Sequence, residues 1–266
     1  MKNEFKDSLV VVKSMEDVPF DKIHSILSEK SFACVRGLFS PEEIRNAREK
    51  IKASFDSKND KKHDPNDSEA IRANFQKLQV GGTRGANSGA RFLRIFYNPT
   101  FAEDIYGMHD IFRRLIIFRN NLNGMPSDFT VNGTDDGMWS ASRISHYPRG
   151  GGFMAPHTDV GTNSVSKGLG LDYVQLILTM SKKGVDFKEG GAYIIDDEGK
   201  RYFFEDECEL GDIVIYDGRI MHGVEEIDPM EPLDMNSFEG RHVAFVTLFK
   251  HFSKDNSASE YNSLMK

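Results

Sequence analysis

The chain has 266 residues, of which 39% are apolar and 28% charged, a length and composition typical of one or two globular domains. Its formal net charge of −7 argues against a general nucleic-acid-binding protein, because such proteins present a basic surface. No apolar run approaches the length of a membrane span, and two cysteines make neither a disulfide framework nor a zinc–cysteine cluster. These features predict a soluble, cytoplasmic protein with neither membrane nor nucleic acid among its partners; the sequence does not indicate an oligomeric state.

The first elements that the sequence predicts are a short strand and a helix. The run Phe32 to Val35 is apolar and short enough for a strand. Ser40-Pro41-Glu42-Glu43 then supplies an N-cap, a proline at the first helical position and an acid at the third, which is a capping box. Apolar residues follow at helical spacing as far as Phe55.

Two loops and a second helix are predicted next. Residues 56–70 are charged and interrupted by Pro65, and residues 81–92 are rich in glycine without forming a dinucleotide-binding pattern. Both stretches are interpreted as loops that close over a site. The stretch 101–122 is amphipathic and predicts a helix.

From about Arg143 onward the sequence consists of short runs rich in β-branched and aromatic residues. They are RISHYP, YVQLILTM, GAYIID, KRYFFED, DIVIYD and RHVAFVTLF. Such spacing predicts an antiparallel sandwich or barrel. We therefore expect a mainly β protein with flanking helices: one domain over 1–266, with a helical part at about 1–140 and a β core at about 141–252.

Two of the eight histidines stand at predicted strand ends beside glycines, in APHTDVG and GRIMHGV. Residues two apart on a strand point to the same side, so His157 and Asp159 present an imidazole and a carboxylate to one point. His222 lies 63 residues later, enough for several strands to bring it back to that point. Two imidazoles and one carboxylate form the set used by non-haem Fe(II) oxygenases. An H-x-D pattern alone is weak, and the distal His-Gly strengthens it.

Arg241 begins a strand whose alternation places Val243, Phe245, Thr247 and Phe249 on the same face. A guanidinium among apolar side chains is costly unless it meets an anion, and it binds a carboxylate with two parallel hydrogen bonds. Taken alone, an ion pair with a structural acid is the simpler explanation. Beside the three candidate metal ligands, a role as a carboxylate clamp is favoured.

These pieces resemble the Fe(II)- and 2-oxoglutarate-dependent oxygenase superfamily. The resemblance is carried by YPRGGGFMAPHTDVGT, EGGAYI, ELGDIVIYDGRIMHGV and GRHVAFVTLF, over roughly 143–250. The first is similar to the isopenicillin N synthase and plant-oxygenase branch, whereas FACVRGLFSPEEI is more similar to the phytanoyl-CoA hydroxylase branch. The resemblance implies a double-stranded β-helix, or jelly-roll, with His157, Asp159 and His222 as iron ligands and Arg241 holding the distal carboxylate of 2-oxoglutarate.

The resemblance also implies a hydroxyl group in the clamp. Plant-type relatives have a serine two residues after the arginine, where this chain has Val243, so Tyr147 or Thr179 would have to supply it. Asp159 occupies the position at which halogenating relatives have a small residue. Hydroxylation, desaturation or ring closure is therefore the implied outcome.

The implied reaction uses Fe(II), O₂ and 2-oxoglutarate, releases succinate and CO₂, and attacks an unactivated C–H bond of a small molecule such as an amino acid or a natural-product intermediate. One alternative is a cupin-like isomerase or dioxygenase that uses the same metal ligands without 2-oxoglutarate. It has no need of the arginine clamp. The other is a non-catalytic module of the same fold, which has no need of an intact ligand set.

Overall fold

The computed structural model describes residues 2–62, 74–81, 89–159, 174–196 and 198–250. The helices are α1 (Lys2–Ser8), α2 (Phe20–Lys30), α3 (Pro41–Ser54) and α4 (His109–Leu122). The first strands are β1 (Leu9–Val11), β2 (Phe32–Arg36), β3 (Lys61–Lys62), β4 (Phe75–Gln79), β5 (Ala90–Arg91), β6 (Leu93–Tyr97) and β7 (Thr134–Asp135). The later strands are β8 (Met138–Pro148), β9 (Gly152–His157), β10 (Val174–Thr179), β11 (Gly191–Ile195), β12 (Arg201–Tyr202), β13 (Ile213–Asp217), β14 (His222–Ile227) and β15 (Gly240–Lys250).

The strands form two sheets. The larger has the order β1-β2-β13-β10-β15-β8-β6-β4-β3, and the smaller has the order β12-β11-β14-β9-β5. From β8 onward the chain passes back and forth between the sheets, since β8, β10, β13 and β15 belong to the larger and β9, β11, β12 and β14 to the smaller. This alternation is that of a jelly-roll, which confirms the predicted fold class.

The larger sheet separates two apolar cores. Ile213 and Ile215 of β13 belong to the core shared with the helices, whereas Val214 and Tyr216 belong to the core between the sheets. The same alternation holds in β15, where Ala244 lies on the helix side. Because successive strand residues point to opposite faces, one run of apolar residues serves both cores.

The longest strands, β8 and β15, pair antiparallel from Gly240 opposite Pro148 to Lys250 opposite Met138. This register sets Arg241 opposite Tyr147 and Phe245 opposite Arg143. The positions that face the smaller sheet therefore alternate with those that face the helices, as the sequence pattern of β15 predicts.

Both predicted helices are present, and the second is shorter than predicted. Ser40 caps α3 by accepting a hydrogen bond from the Glu43 amide at 3.1 Å, with Pro41 in the first turn. The Glu43 side chain pairs with Arg114. The predicted helix over 101–122 begins only at His109, because Asp104 accepts hydrogen bonds from the amides of Met108 and His109 and thereby sets the start of α4.

Two further predictions are corrected in detail. Only Arg201–Tyr202 of the run KRYFFED is a strand, and Phe204–Asp206 forms a 3-10 turn instead. The predicted loop after Phe55 contains a 3-10 turn at Ser57–Asn59 and the short β3, and its remainder, 63–70, lies outside the described residues, as does 82–88 of the glycine-rich stretch.

The first 140 residues contribute strands as well as helices, and β2 and β6 both pair with strands of the β core. None of the helices among the described residues is long and apolar enough to cross a membrane.

Candidate active site

The candidate metal ligands come together where β9 ends and β14 begins, in the smaller sheet. His157 is the last residue of β9 and His222 the first of β14, and the two are opposite each other in the register. Their ring centroids are 4.3 Å apart. Oδ1 of Asp159 lies 3.7 Å from Nε2 of His157, and Oδ2 lies 3.4 Å from Nε2 of His222. One nitrogen or oxygen from each of the three lies within 4.8 Å of the others, as a single ion requires.

Backbone carbonyls orient both imidazoles. Nδ1 of His157 is 2.8 Å from the Ala155 carbonyl, and Nδ1 of His222 is 2.8 Å from the Ile220 carbonyl. A carbonyl only accepts, so each Nδ1 carries the proton and donates. Each ring therefore directs its Nε2 toward Asp159, and this kind of hydrogen bond fixes metal-ligating histidines.

The local electrostatics favour a neutral imidazole beside a carboxylate. Burial, followed by the neighbouring His222, lowers the pKa of His157. Burial acts to raise the pKa of Asp159, but the hydrogen bond and charge of His222, with smaller contributions from His157 and Arg143, outweigh it and lower that pKa. Both groups are thus in the forms that bind a divalent cation.

The ligands line a cavity of about 200 Å³ between the two sheets. Its walls include the apolar side chains of Leu93, Ile95, Ile177, Phe204, Phe245 and Phe249. Polar groups converge on it from β4, β8, β10, β11, β13 and β15, including Gln79, Arg143, Tyr147, Gln175, Tyr193, Tyr216 and Arg241. A concave, mainly apolar space with a few polar groups is the usual form of a small-molecule site.

Arg241 lies in the wall of this cavity and is 1% exposed. It forms an ion pair with Glu205: Nε lies 2.9 and 2.8 Å from the two carboxylate oxygens and Nη2 lies 2.7 Å from Oε1. Burial acts to lower the pKa of Arg241, but Glu205 outweighs it and the pKa is raised. Among the described residues, neither Nη1 nor Nη2 has a partner with full hydrogen-bond geometry. The guanidinium therefore retains donors for a further acceptor.

Of the two candidate hydroxyl groups, one lines the cavity and one does not. The Tyr147 ring lies under the Arg241 guanidinium at 5.0 Å, and Tyr147 lines the cavity. The Thr179 hydroxyl donates to the carbonyls of Glu209 and Asp212, at 2.7 and 2.9 Å, and does not line the cavity. Tyr193, which the sequence did not single out, lines the cavity, and its buried hydroxyl has no partner among the described residues.

Glu205 is the main site residue that sequence reasoning missed. The run FFED reads as part of a strand, and only the 3-10 turn at Phe204–Asp206 directs this acid inward. The usable signal was an acid directly after the aromatic run Tyr202–Phe204 in the β core, since a buried arginine requires a counter-charge.

A second cluster of potential ligands, Cys34, Cys208 and Asp212, is buried at β2 and the start of β13. Arg36 holds both carboxylate oxygens of Asp212, at 2.9 and 2.6 Å. The hydrogen bond with Cys34 and then burial raise the pKa of the Cys208 thiol. A protonated Cys208 thiol and a carboxylate engaged by an arginine do not favour a metal there.

No protein-family model and no curated protein matches the sequence. Solved structures do match. A protein described as belonging to the 2OG-Fe(II) oxygenase family, from Caulobacter crescentus, aligns with a TM-score of 0.53 at 14% identity, over 93% of this chain and 88% of that one.

Two further structures match at similar levels. A prolyl hydroxylase from Trichoplax adhaerens, in complex with a hypoxia inducible factor peptide fragment, has a TM-score of 0.53 at 11% identity, over 93% and 92% of the two chains. A full-length protein from Neurospora crassa, in complex with alpha-KG, has a TM-score of 0.51 at 11% identity, over 90% and 84%. The chain therefore has the fold of solved 2OG-Fe(II) oxygenases, and the predicted double-stranded β-helix is confirmed.

Proposed function

We propose that the protein is an Fe(II)- and 2-oxoglutarate-dependent oxygenase that acts on a C–H bond of a small organic molecule. The observation that carries this proposal is the convergence of His157, Asp159 and His222 on one point of the cavity wall, with both Nε2 atoms directed inward. Two imidazoles and one carboxylate leave coordination positions open for exchangeable ligands.

The residues present fit both groups that this reaction requires. The three ligand atoms would hold Fe(II), and the Nη donors of Arg241 would hold the distal carboxylate of 2-oxoglutarate, with Tyr147 or Tyr193 as the hydroxyl donor. When bound together, iron and 2-oxoglutarate supply the O₂ activation and C–H oxidation, releasing succinate and CO₂. Thr179 is not part of this proposal, because its hydroxyl is engaged by backbone carbonyls.

The chain contributes orientation and exclusion of water. The Ala155 and Ile220 carbonyls keep the two imidazoles in one tautomer and one rotation. The aromatic wall of Phe204, Phe245 and Phe249 reduces the access of water to the space beside the ligands. A dry, preoriented site protects reactive species from side reactions.

A cupin-like metalloenzyme that does not use 2-oxoglutarate is the second candidate. It is favoured by the Glu205–Arg241 ion pair, which gives the arginine a structural partner. Hydroxylation, desaturation and ring closure all remain within the first proposal, with an amino acid or natural-product intermediate as substrate.

An anaerobic titration distinguishes the two candidates. Fe(II) is added to the protein and then 2-oxoglutarate, and the weak visible charge-transfer band of a chelated keto acid is recorded. We expect the band in the wild type, its loss in His222→Ala, and a strongly raised 2-oxoglutarate requirement in Arg241→Ala. Metal binding without a band would reject the oxygenase and favour the cupin-like enzyme.

Two variants outside the cavity serve as controls. His24 on α2 and Arg113 on α4 do not line it. His24→Ala and Arg113→Ala should keep the wild-type band at the wild-type 2-oxoglutarate concentration. A loss of the band in either would show that the assay reports general damage.

A further inference from the structure

Arg143 is a second arginine in the cavity wall. It lies on β8, and Ser145, two residues later on the same strand, lines the cavity as well. It is half-buried, and its guanidinium lies over the rings of Phe245 at 4.8 Å and Phe249 at 5.5 Å. Contacts with two aromatic faces hold a guanidinium in place while leaving its edge N–H groups open to another ligand.

Arg143 lacks the acidic partner that Arg241, the other arginine lining the cavity, has. Arg241 pairs with Glu205. Within the described ranges, no carboxylate lies within 4.0 Å of Arg143, and its one hydrogen bond goes to the Ala141 carbonyl at 3.1 Å. Only one of its five N–H groups thus has an acceptor among the described residues. The guanidinium has no ion pair there even though acidic side chains outnumber basic ones in the chain, whose net charge is −7.

The surroundings of Arg143 indicate what its ligand would look like. Tyr97 is opposite it on β6 and Phe245 opposite it on β15, so the guanidinium lies among rings. The apolar residues Leu93 and Ile95 also line the cavity. A ligand that satisfies both features has an apolar body and an anionic group.

We propose that Arg143 binds an oxyanion of the primary substrate, so that the substrate class is an apolar small molecule carrying a carboxylate or a similar group. This inference rests on the proposed function for the identity of the site. The anionic end would be held at Arg143 and the apolar body along the aromatic wall, beside the candidate metal ligands. Arg143 is then a specificity-determining residue rather than a metal or co-substrate ligand.

The distal carboxylate of 2-oxoglutarate is the competing occupant of Arg143. Arg241 is already neutralised by Glu205, whereas Arg143 is a cation of the cavity with no ion pair among the described residues. The two occupants are distinguishable, because a co-substrate clamp affects the 2-oxoglutarate titration and a substrate clamp does not.

Trp139 provides a built-in signal for ligands at this position. It is the only tryptophan of the chain and lies on β8, four residues before Arg143. Its ring meets that of Phe249 edge to face with centroids 5.8 Å apart, and Phe249 lies under the Arg143 guanidinium. A ligand that displaces Phe249 or Arg143 alters the packing around the indole.

The test uses the full chain loaded anaerobically with Fe(II) and 2-oxoglutarate, with the visible band recorded in the same samples. Trp139 fluorescence is titrated with 3-phenylpropionate, with its neutral amide 3-phenylpropionamide, and with phenyl phosphate. We expect at least one of the two anions to bind about tenfold more tightly than the amide, as a charge-assisted hydrogen bond allows. Arg143→Met should remove this preference, Arg143→Lys should keep part of it, and both should retain the band.

Each other outcome overturns the inference. Equal binding of anions and amide by the wild type, no binding of either anion, or a preference that survives Arg143→Met would show that Arg143 does not select an oxyanion. Loss of the band in Arg143→Met would assign the residue to 2-oxoglutarate. If the wild type itself has no band, the proposed function fails instead. Arg113→Met is the control and should behave as the wild type.

Discussion

At the scale of single residues, Glu205 decides how available Arg241 is. Its carboxylate lies against Nε and Nη2 of the guanidinium and also accepts a hydrogen bond from the Ala192 amide at 2.8 Å. A dicarboxylate bound at the remaining Nη donors would place a second negative charge near the first. Glu205 therefore stabilises the unliganded arginine and competes with a bound co-substrate.

Glu205→Gln separates these two effects. The amide oxygen of Gln can still accept from Ala192, but the buried guanidinium loses its counter-charge, so we expect the free energy of unfolding to fall by about 3 kcal/mol. We expect the apparent Kd for 2-oxoglutarate in the anaerobic titration to fall several-fold, because the competing charge is gone. Urea unfolding measures the change in stability, and the anaerobic titration measures the change in the apparent Kd.

The control for this variant is Glu225→Gln, which changes an acid that pairs with Arg201 at the surface of β14. It should alter neither stability nor 2-oxoglutarate binding by more than a few tenths of a kcal/mol. Weaker 2-oxoglutarate binding in Glu205→Gln would contradict competition and would make Glu205 a residue that positions Arg241.

At the scale of elements, the start of β15 depends on a glycine. Gly240 has φ +126°, and a Cβ there would lie 2.3 Å from the Tyr147 carbonyl oxygen of the paired strand. Only glycine allows both that backbone conformation and that approach. Arg241 is the next residue, so the same glycine determines where the arginine enters the cavity wall.

Gly240→Ala should therefore damage stability and the arginine together. We expect a loss of at least about 2 kcal/mol in the free energy of unfolding, from the strained φ and the steric clash. The anaerobic 2-oxoglutarate titration should weaken as Arg241 shifts. Gly133→Ala is the matched control, because a Cβ at Gly133 meets nothing within 4 Å. Wild-type stability in Gly240→Ala would mean that the strand start relaxes freely.

What the sequence predicted well are the features that depend on local periodicity. The period-two pattern of β15 placed Arg241 and Phe245 on one face, and glycines beside His157 and His222 predicted their positions at strand ends. The start of α4 was wrong by eight residues because the amphipathic pattern extends upstream of Asp104, whose side chain sets the boundary.

The remaining features depend on contacts between distant parts of the chain. Glu205 meets Arg241 across 36 residues, and the Thr179 hydroxyl turns away from the cavity toward carbonyls about 30 residues later. No periodicity encodes such pairs, because each results from the crossing of strands between the two sheets. Arg143 is a related case, because only the folded protein shows that it has no ion pair within the described ranges.

At the scale of the whole molecule, the larger sheet separates an active-site side from a helix side that contains buried basic groups. His146 and His242 are opposite each other in β8 and β15 and stack with ring centroids 4.4 Å apart and planes 5° apart. His146 is held by Arg94 and by the Glu239 carbonyl, at 3.3 and 3.0 Å. Among the described residues, neither ring nitrogen of His242 has a partner with full hydrogen-bond geometry.

These two histidines should make the fold sensitive to acid. Burial, opposed by the hydrogen bond to the Glu239 carbonyl, lowers the pKa of His146 to about 3. Burial and then the charge of His146 lower the pKa of His242 well below its usual value, against a hydrogen bond with the Gly240 backbone. The unfolded chain takes up a proton at each near pH 6.5, whereas the folded protein does not, so stability falls as the pH decreases below that value.

Between pH 7.5 and 5.5 each histidine should cost about 1.4 kcal/mol of unfolding free energy, which urea unfolding at the two pH values measures. His242→Phe keeps a flat ring and loses no hydrogen bond of full geometry, so we expect stability near that of the wild type at pH 7.5 and a loss on going to pH 5.5 that is smaller by about 1.4 kcal/mol. His24→Gln, at an exposed position on α2, should leave the loss unchanged. An equal loss in His242→Phe and the wild type would mean that His242 becomes protonated without unfolding, and the acid sensitivity would then belong to other groups.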